Sequence, residues 1–248
     1  MQTRNRIAKQ SVARIYSLRV LTLLLAISLS ATLSQPASAL EACATSATDP
    51  QCSISSAGSY QVIVNKVRPL TPVTYQAKDL IRVPKFNPYG RVVRKAVSKA
   101  IVLMGTAMKA DGMGTLIVQS GYRSYKSQKT IHNAKVRLLG KVKGENLAAR
   151  PGYSEHQTGL AVDFAAKGVS TLKVSFAKTK AGLWLAANAY RFGFVLRYPK
   201  GETPTTGYSF EPWHFRYVGL DLAKVMHDQN IPTLEAYFSL PAAPNYLN

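Results

Sequence analysis

Apolar residues recur at helical spacing through Val93, Ala96, Val97, Ala100, Met104, Ala107 and Met108, with Arg94, Lys95, Lys99 and Lys109 set between them. That stripe predicts an amphipathic helix whose methionines fill a core, and Asp111-Gly112 supplies its stop. Residues 115–119 follow as a strand, Gly121 turns the chain out of it, and Ser124 suits the N-cap of a helix reaching about Leu139. Residues 140–150 read as a basic loop, and the short apolar run 160–164 as a buried strand. Thr179 then caps an expected helix over residues 180–191, ended by Gly193, with Leu183, Trp184, Ala187 and Tyr190 on its core face. A short strand at 194–196, a Gly/Thr/Pro-rich loop at 201–207, a strand at 214–217 and a helix at 221–229 complete the pattern.

The first 39 residues stand apart. Arg4, Arg6, Lys9, Arg14 and Arg19 precede an apolar stretch of about 14 residues, and Ala37-Ser38-Ala39 follows as a small-residue cleavage site. This is the order of a secretory signal peptide, too short to span a bilayer, so no transmembrane helix is expected in the mature chain. An uncleaved anchor is the alternative. Residues 40–74 are rich in Ser, Thr, Ala and Pro without period and read as a loosely packed lead-in, with the folded domain over 75–248. Cys43 and Cys52 are the only cysteines, and in an oxidising compartment they are expected to pair. Lipidation of Cys43 suits the sequence less well, because Glu41 interrupts the preceding tetrapeptide and Cys52 would be left over.

The whole chain carries a formal charge of +20, and without the five basic leader residues 27 Lys and Arg against 12 Asp and Glu leave about +15. No nucleic-acid recognition motif accompanies that charge. For an exported protein an anionic cell envelope is the fitting counter-surface, or the basic residues form a solvated face.

Candidate chemistry lies in two stretches. His156 sits in a polar loop, and Asp163 lies seven residues on, inside the expected buried strand, where a carboxylate needs a partner. Far away in sequence, Glu211-Pro212-Trp213-His214 carries a further carboxylate and imidazole; Pro212 argues against a helix there, and Trp213 reads as a packed wall. Two imidazoles and one carboxylate, His156, His214 and Asp163, suit zinc and leave its fourth tetrahedral position open. Glu211 lies close enough to His214 in sequence to serve as a general base. Arg123, at a strand-to-helix corner, is either an anion-gripping cation or an ordinary surface arginine. His132 and His227 read as helix residues with no metal role.

Ser154-x-His156-x-x-Gly159-x-Ala161-x-Asp163 followed by Glu211-x-Trp213-His214 resembles the zinc D-alanyl-D-alanine carboxypeptidases of the VanY type. Their metal core is shared with lysostaphin-type endopeptidases and the hedgehog domain. Ser120 to Ser124 with Gln128, Phe192-Gly193-Phe194 and Arg197-Tyr198-Pro199 look like the same family, and the likeness runs over roughly residues 75–219. The resemblance implies an α+β fold, an antiparallel sheet with helices mainly on one side and zinc in a groove on its face. It implies His156, Asp163 and His214 as zinc ligands, Glu211 as catalytic base and Arg123 as the cation of the pocket. Ser154 and Gln128 would hydrogen-bond substrate, and Tyr198 would line the pocket. The implied reaction is removal of the terminal D-alanine from peptidoglycan stem peptides. An L,D-carboxypeptidase acting on tetrapeptides, a cross-bridge endopeptidase and a non-cleaving wall-binding module are the alternatives.

Overall fold

The computed structural model describes residues 52–169 and 172–247. The leader reading and Cys43 lie outside the described residues; Cys52 is buried and disulfide-bonded. A short hairpin, β1 (Leu80–Arg82) and β2 (Val92–Arg94), passes directly into α1 (Lys95–Ala110). The chain continues through β3 (Leu116–Ser120), α2 (Tyr125–Leu139), α3 (Lys141–Glu145), β4 (Ala161–Ala166), α4 (Lys180–Asn188) and β5 (Phe194–Leu196). It closes with α5 (Thr203–Thr206), β6 (His214–Tyr217), α6 (Leu220–Asp228) and α7 (Leu234–Tyr237). None of these helices is long and apolar enough to cross a membrane.

The main sheet is antiparallel throughout, in the order β3-β4-β6-β5. Alternation along each strand divides its two faces. Val162, Phe164 and Ala166 of β4, with Phe215 and Tyr217 of β6, enter the core shared with α1 and α4. On α1 the buried Val97, Ile101, Met104 and Met108 recur every three or four residues, as a helix lying on a sheet requires. Asp163 and His214 fall at the intervening positions and so belong to the opposite face. The implied α+β architecture is therefore the one observed.

Three local expectations are corrected. Residues 140–150 are not only loop, since Lys141–Glu145 forms a helix packed against α2. The helix expected over 180–191 ends at Asn188 and tightens into a 3-10 turn, Ala189–Phe192, before Gly193. Its core face is Ala181, Trp184 and Leu185, while Leu183 is 60% exposed. The Trp184 indole N–H donates to Asp111 Oδ2 at 2.7 Å and fixes that rotation. The larger correction concerns residues 52–74. Val62, Ile63, Val64 and Leu70 are all buried, so this segment is part of the fold and not a loose lead-in. It shows no period because it is irregular: Val62, Val64 and Leu70 join the main core while Ile63 joins the smaller cluster around α6.

Candidate metal centre

The 3-10 turn Glu155–Thr158 carries His156. It ends at Gly159, whose φ of +71° lies in the left-handed region, and an added Cβ would stand 2.8 Å from Leu80 Cδ2. Gly159 delivers the chain into β4 and Asp163. The sheet register then places Asp163 directly opposite His214, with Ser120 of β3 on its other side. A bulge around Gln119 re-aims the end of β3 toward this point.

His156 Nδ1 lies 2.7 Å from the Gly121 carbonyl, which only an N–H can satisfy. Its Nε2 therefore carries the lone pair; it is buried, lacks a hydrogen bond and stands 3.3 Å from Asp163 Oδ2. His214 presents Nδ1 to the same carboxylate, 3.1 Å from Oδ1. One ligand atom from each of His156, Asp163 and His214 lies within 4.8 Å of the others, and all three residues are buried. Orphaned imidazole nitrogen beside buried carboxylate is the donor set a divalent cation completes.

Glu211 enters from the turn before β6, its N–H donating to Tyr198 O and its own carbonyl accepting from His214 N. Its Oε2 is 3.7 Å from His214 Nδ1. Burial pushes the Glu211 carboxyl up to about 7, Asp163 adding to the rise while His214 and Arg123 oppose it. Burial and the Arg123 charge hold the His156 imidazole down at about 4, hence neutral.

Arg123 stands where β3 gives way to α2, and Ser124 caps that helix by accepting from Ser127 N. The guanidinium reaches Asp163 Oδ2 at 3.2 Å and Gln128 Oε1 at 3.0 Å. Gln128, expected against substrate, is fully buried, and its amide donates to Ala149 O at 2.8 Å. Its hydrogen bonds thus go to Arg123 and the backbone. Ser154 is buried beside a small cavity that Gln128, His156 and His214 also line, and Tyr198 lays its ring on His214 with centroids 4.8 Å apart. His132 and His227 are remote, pairing with Glu145 and stacking on Tyr190.

A groove of about 460 Å³ opens onto these groups, with Arg123, Asp163, Glu211 and Trp213 on its floor and Ser127, Ile131 and Lys135 of α2 along one wall. Behind the centre lies a buried ionic cluster that sequence reasoning missed: Glu155, Arg197, Arg216 and Glu235. Each taken singly looks like a surface charge. The local signal was the placement of Arg197 directly after the apolar strand β5 and of Arg216 between Phe215 and Tyr217 in β6.

Residues 90–220 match the family model described as VanY, D-alanyl-D-alanine carboxypeptidase. The chain is 42% identical over 183 residues to the putative carboxypeptidase YodJ of Bacillus subtilis (strain 168), covering 71% of this chain and 66% of that protein. It spans between 50% and 66% of the length of the first curated relatives it matches. Among solved structures, the LdcB LD-carboxypeptidase superposes with a TM-score of 0.67 at 40% identity, covering 74% of this chain and 87% of its own. The vancomycin-resistance D,D-pentapeptidase VanY in complex with Zn(II) gives 0.61 at 35% identity, covering 71% and 97%.

Proposed function

The chain belongs to the VanY D-alanyl-D-alanine carboxypeptidase family, and from that premise we propose that it is a zinc carboxypeptidase removing the C-terminal D-alanine from peptidoglycan stem peptides. One observation carries the reading: three donors from segments far apart in sequence converge within 4.8 Å, with the Glu211 carboxylate alongside and with Asp163 and Glu211 lining the groove. His156, Asp163 and His214 would hold the zinc. Once bound, it supplies Lewis-acid polarisation of the scissile carbonyl and acidifies a water. Glu211 is positioned to take a proton from the attacking water and return it to the leaving amine. Arg123, steadied by Gln128, offers a fixed cation for the substrate's terminal carboxylate or for charge developing on the carbonyl oxygen. Tyr198 keeps the His214 ring in place, and Ser154 borders the space a peptide end would fill.

The test is to incubate the zinc-supplied protein with tri-, tetra- and pentapeptide stems and weigh the products. The pentapeptide should lose one D-alanine. The similarity to an L,D-carboxypeptidase makes the tetrapeptide the alternative substrate, and survival of both peptides would overturn the assignment. A Glu211→Ala change should lower turnover by about 10²–10⁴-fold while leaving zinc content intact. The same proposal takes the protein to be exported, on the strength of the leader pattern, with its basic surface toward an anionic envelope. N-terminal sequencing of the protein recovered from cells should then begin near residue 40; a start at Met1 would remove the cleavage and leave the uncleaved anchor.

A further inference from the structure

Glu155 is 1% exposed and has no part in the reaction as described above. Its Oε1 accepts from Arg197 Nε at 2.8 Å and from Arg216 Nη1 at 3.0 Å. Both guanidinium groups are otherwise spent. Arg197 grips Glu235 with its remaining nitrogens at 2.8 and 2.7 Å, and Arg216 donates to the carbonyls of Tyr217, Tyr60 and Val62. Glu155 Oε2 is thereby left without a hydrogen bond. It faces His214 Nε2, also buried and unbonded, across 3.8 Å.

The two orphans complement one another. A neutral imidazole carries one proton, and His214 turns Nδ1 toward Asp163 and Glu211. Nδ1 can donate a lone pair to a cation only if the proton resides on Nε2. An anionic oxygen behind Nε2 favours that tautomer, orients the ring and raises the basicity of the ligating nitrogen. We propose that Glu155 is the positioning residue of the metal centre: it holds the proton on His214 Nε2, and Arg197, Arg216 and Glu235 hold Glu155. His156 has a separate device of opposite sense, its Nδ1 bound to the Gly121 carbonyl. The competing explanation makes Glu155 only a counter-ion for two arginines, in which case neutralising it loosens packing without moving a proton.

This inference rests on the zinc reading above, and the experiment separates the two. Long-range ¹H–¹⁵N spectra of the zinc-loaded full chain, labelled at histidine nitrogen, report which nitrogen of each imidazole is protonated. His214 should show a protected Nε2–H and an Nδ1 on the metal. In Glu155→Gln the Nε2–H should lose its protection and exchange with solvent, and the zinc dissociation constant, read by competition with a chromophoric chelator, should rise about 10–100-fold. An unchanged Nε2–H signal and zinc affinity in a folded Glu155→Gln protein would overturn the proposal while leaving the metal reading intact. So would a wild-type spectrum with the metal on Nε2 of His214, which decides the matter even if the variant fails to fold. A wild-type chain that binds no zinc would overturn both.

Discussion

His156 depends on a residue that has no side chain. Its Nδ1 is held by the carbonyl of Gly121, and a Cβ added to Gly121 would lie 2.5 Å from the Val92 carbonyl oxygen. Backbone cannot yield cheaply on both sides, so Gly121→Ala should displace that carbonyl and release the imidazole. Zinc affinity should fall by roughly tenfold or more, the scale of losing a histidine's outer partner, as read by chelator competition. Gln128 makes a contrasting case. It is fully buried and keeps Arg123 aimed, so Gln128→Ala should leave zinc content unchanged yet lower kcat for D-alanine release. A misplacement of about 1 Å at a catalytic group costs on the order of 10²-fold, which sets the expected ceiling. Equal loss of zinc in that variant would show Gln128 to be merely structural.

Among elements, the β4–β6 pairing does most to build the site, because one register step places Asp163 opposite His214 while sending Phe164 and Phe215 to the core. Helix α7 acts at longer range. Its Glu235 is bound by Arg197 and Asn65, and through Arg197 it touches Glu155 and the end of β5. Burial alone would raise the Glu235 carboxyl, but Arg197 and Asn65 outweigh it and hold it below the usual range. The folded value therefore lies under the unfolded one, about 4.3. Stability from this group is present above that pH and is lost as pH falls through the folded value. Glu235→Gln should cost about 2 kcal/mol at pH 7, the scale of hydrogen bonds to a charged group. Its gap from wild type should narrow below about pH 4, measured by chemical denaturation across pH.

At the scale of the molecule, the segment before β1 closes the core instead of leading up to it. Val62, Ile63, Val64 and Leu70 are 1–3% exposed, and the Tyr60 and Val62 carbonyls accept from the buried Arg216. Each such side chain contributes about 1.5–3 kcal/mol on burial, together comparable with the whole stability of a domain, about 5–15 kcal/mol. A chain begun at residue 75 should therefore fail to fold cooperatively, with no sharp thermal transition by circular dichroism, although it retains every proposed zinc ligand. The opposite terminus is also engaged, Tyr246 Oη accepting from Arg150 N at 2.9 Å and lying 3.3 Å from Tyr208 Oη. Both ends of the described chain thus brace the rear of the centre.

The sequence by itself determined what depends on neighbours along the chain. Ser124 caps α2 because a hydroxyl three residues before an N–H suffices, and the stripe on α1 specifies its buried side whatever it meets. The residue types of the centre were likewise readable, since an aspartate inside an apolar strand demands a partner. Tertiary structure alone decided which face of α4 is buried, where the irregular 52–74 segment packs, and that Gln128 serves Arg123. It alone made Glu155, Arg197, Arg216 and Glu235 a buried cluster. A charge shows no period, and whether it is solvated or paired depends on groups far away in sequence: Glu155 accepts from Arg216, 61 residues on, and Glu235 from Asn65, 170 residues before it, only once the sheet and the last helix have closed around them.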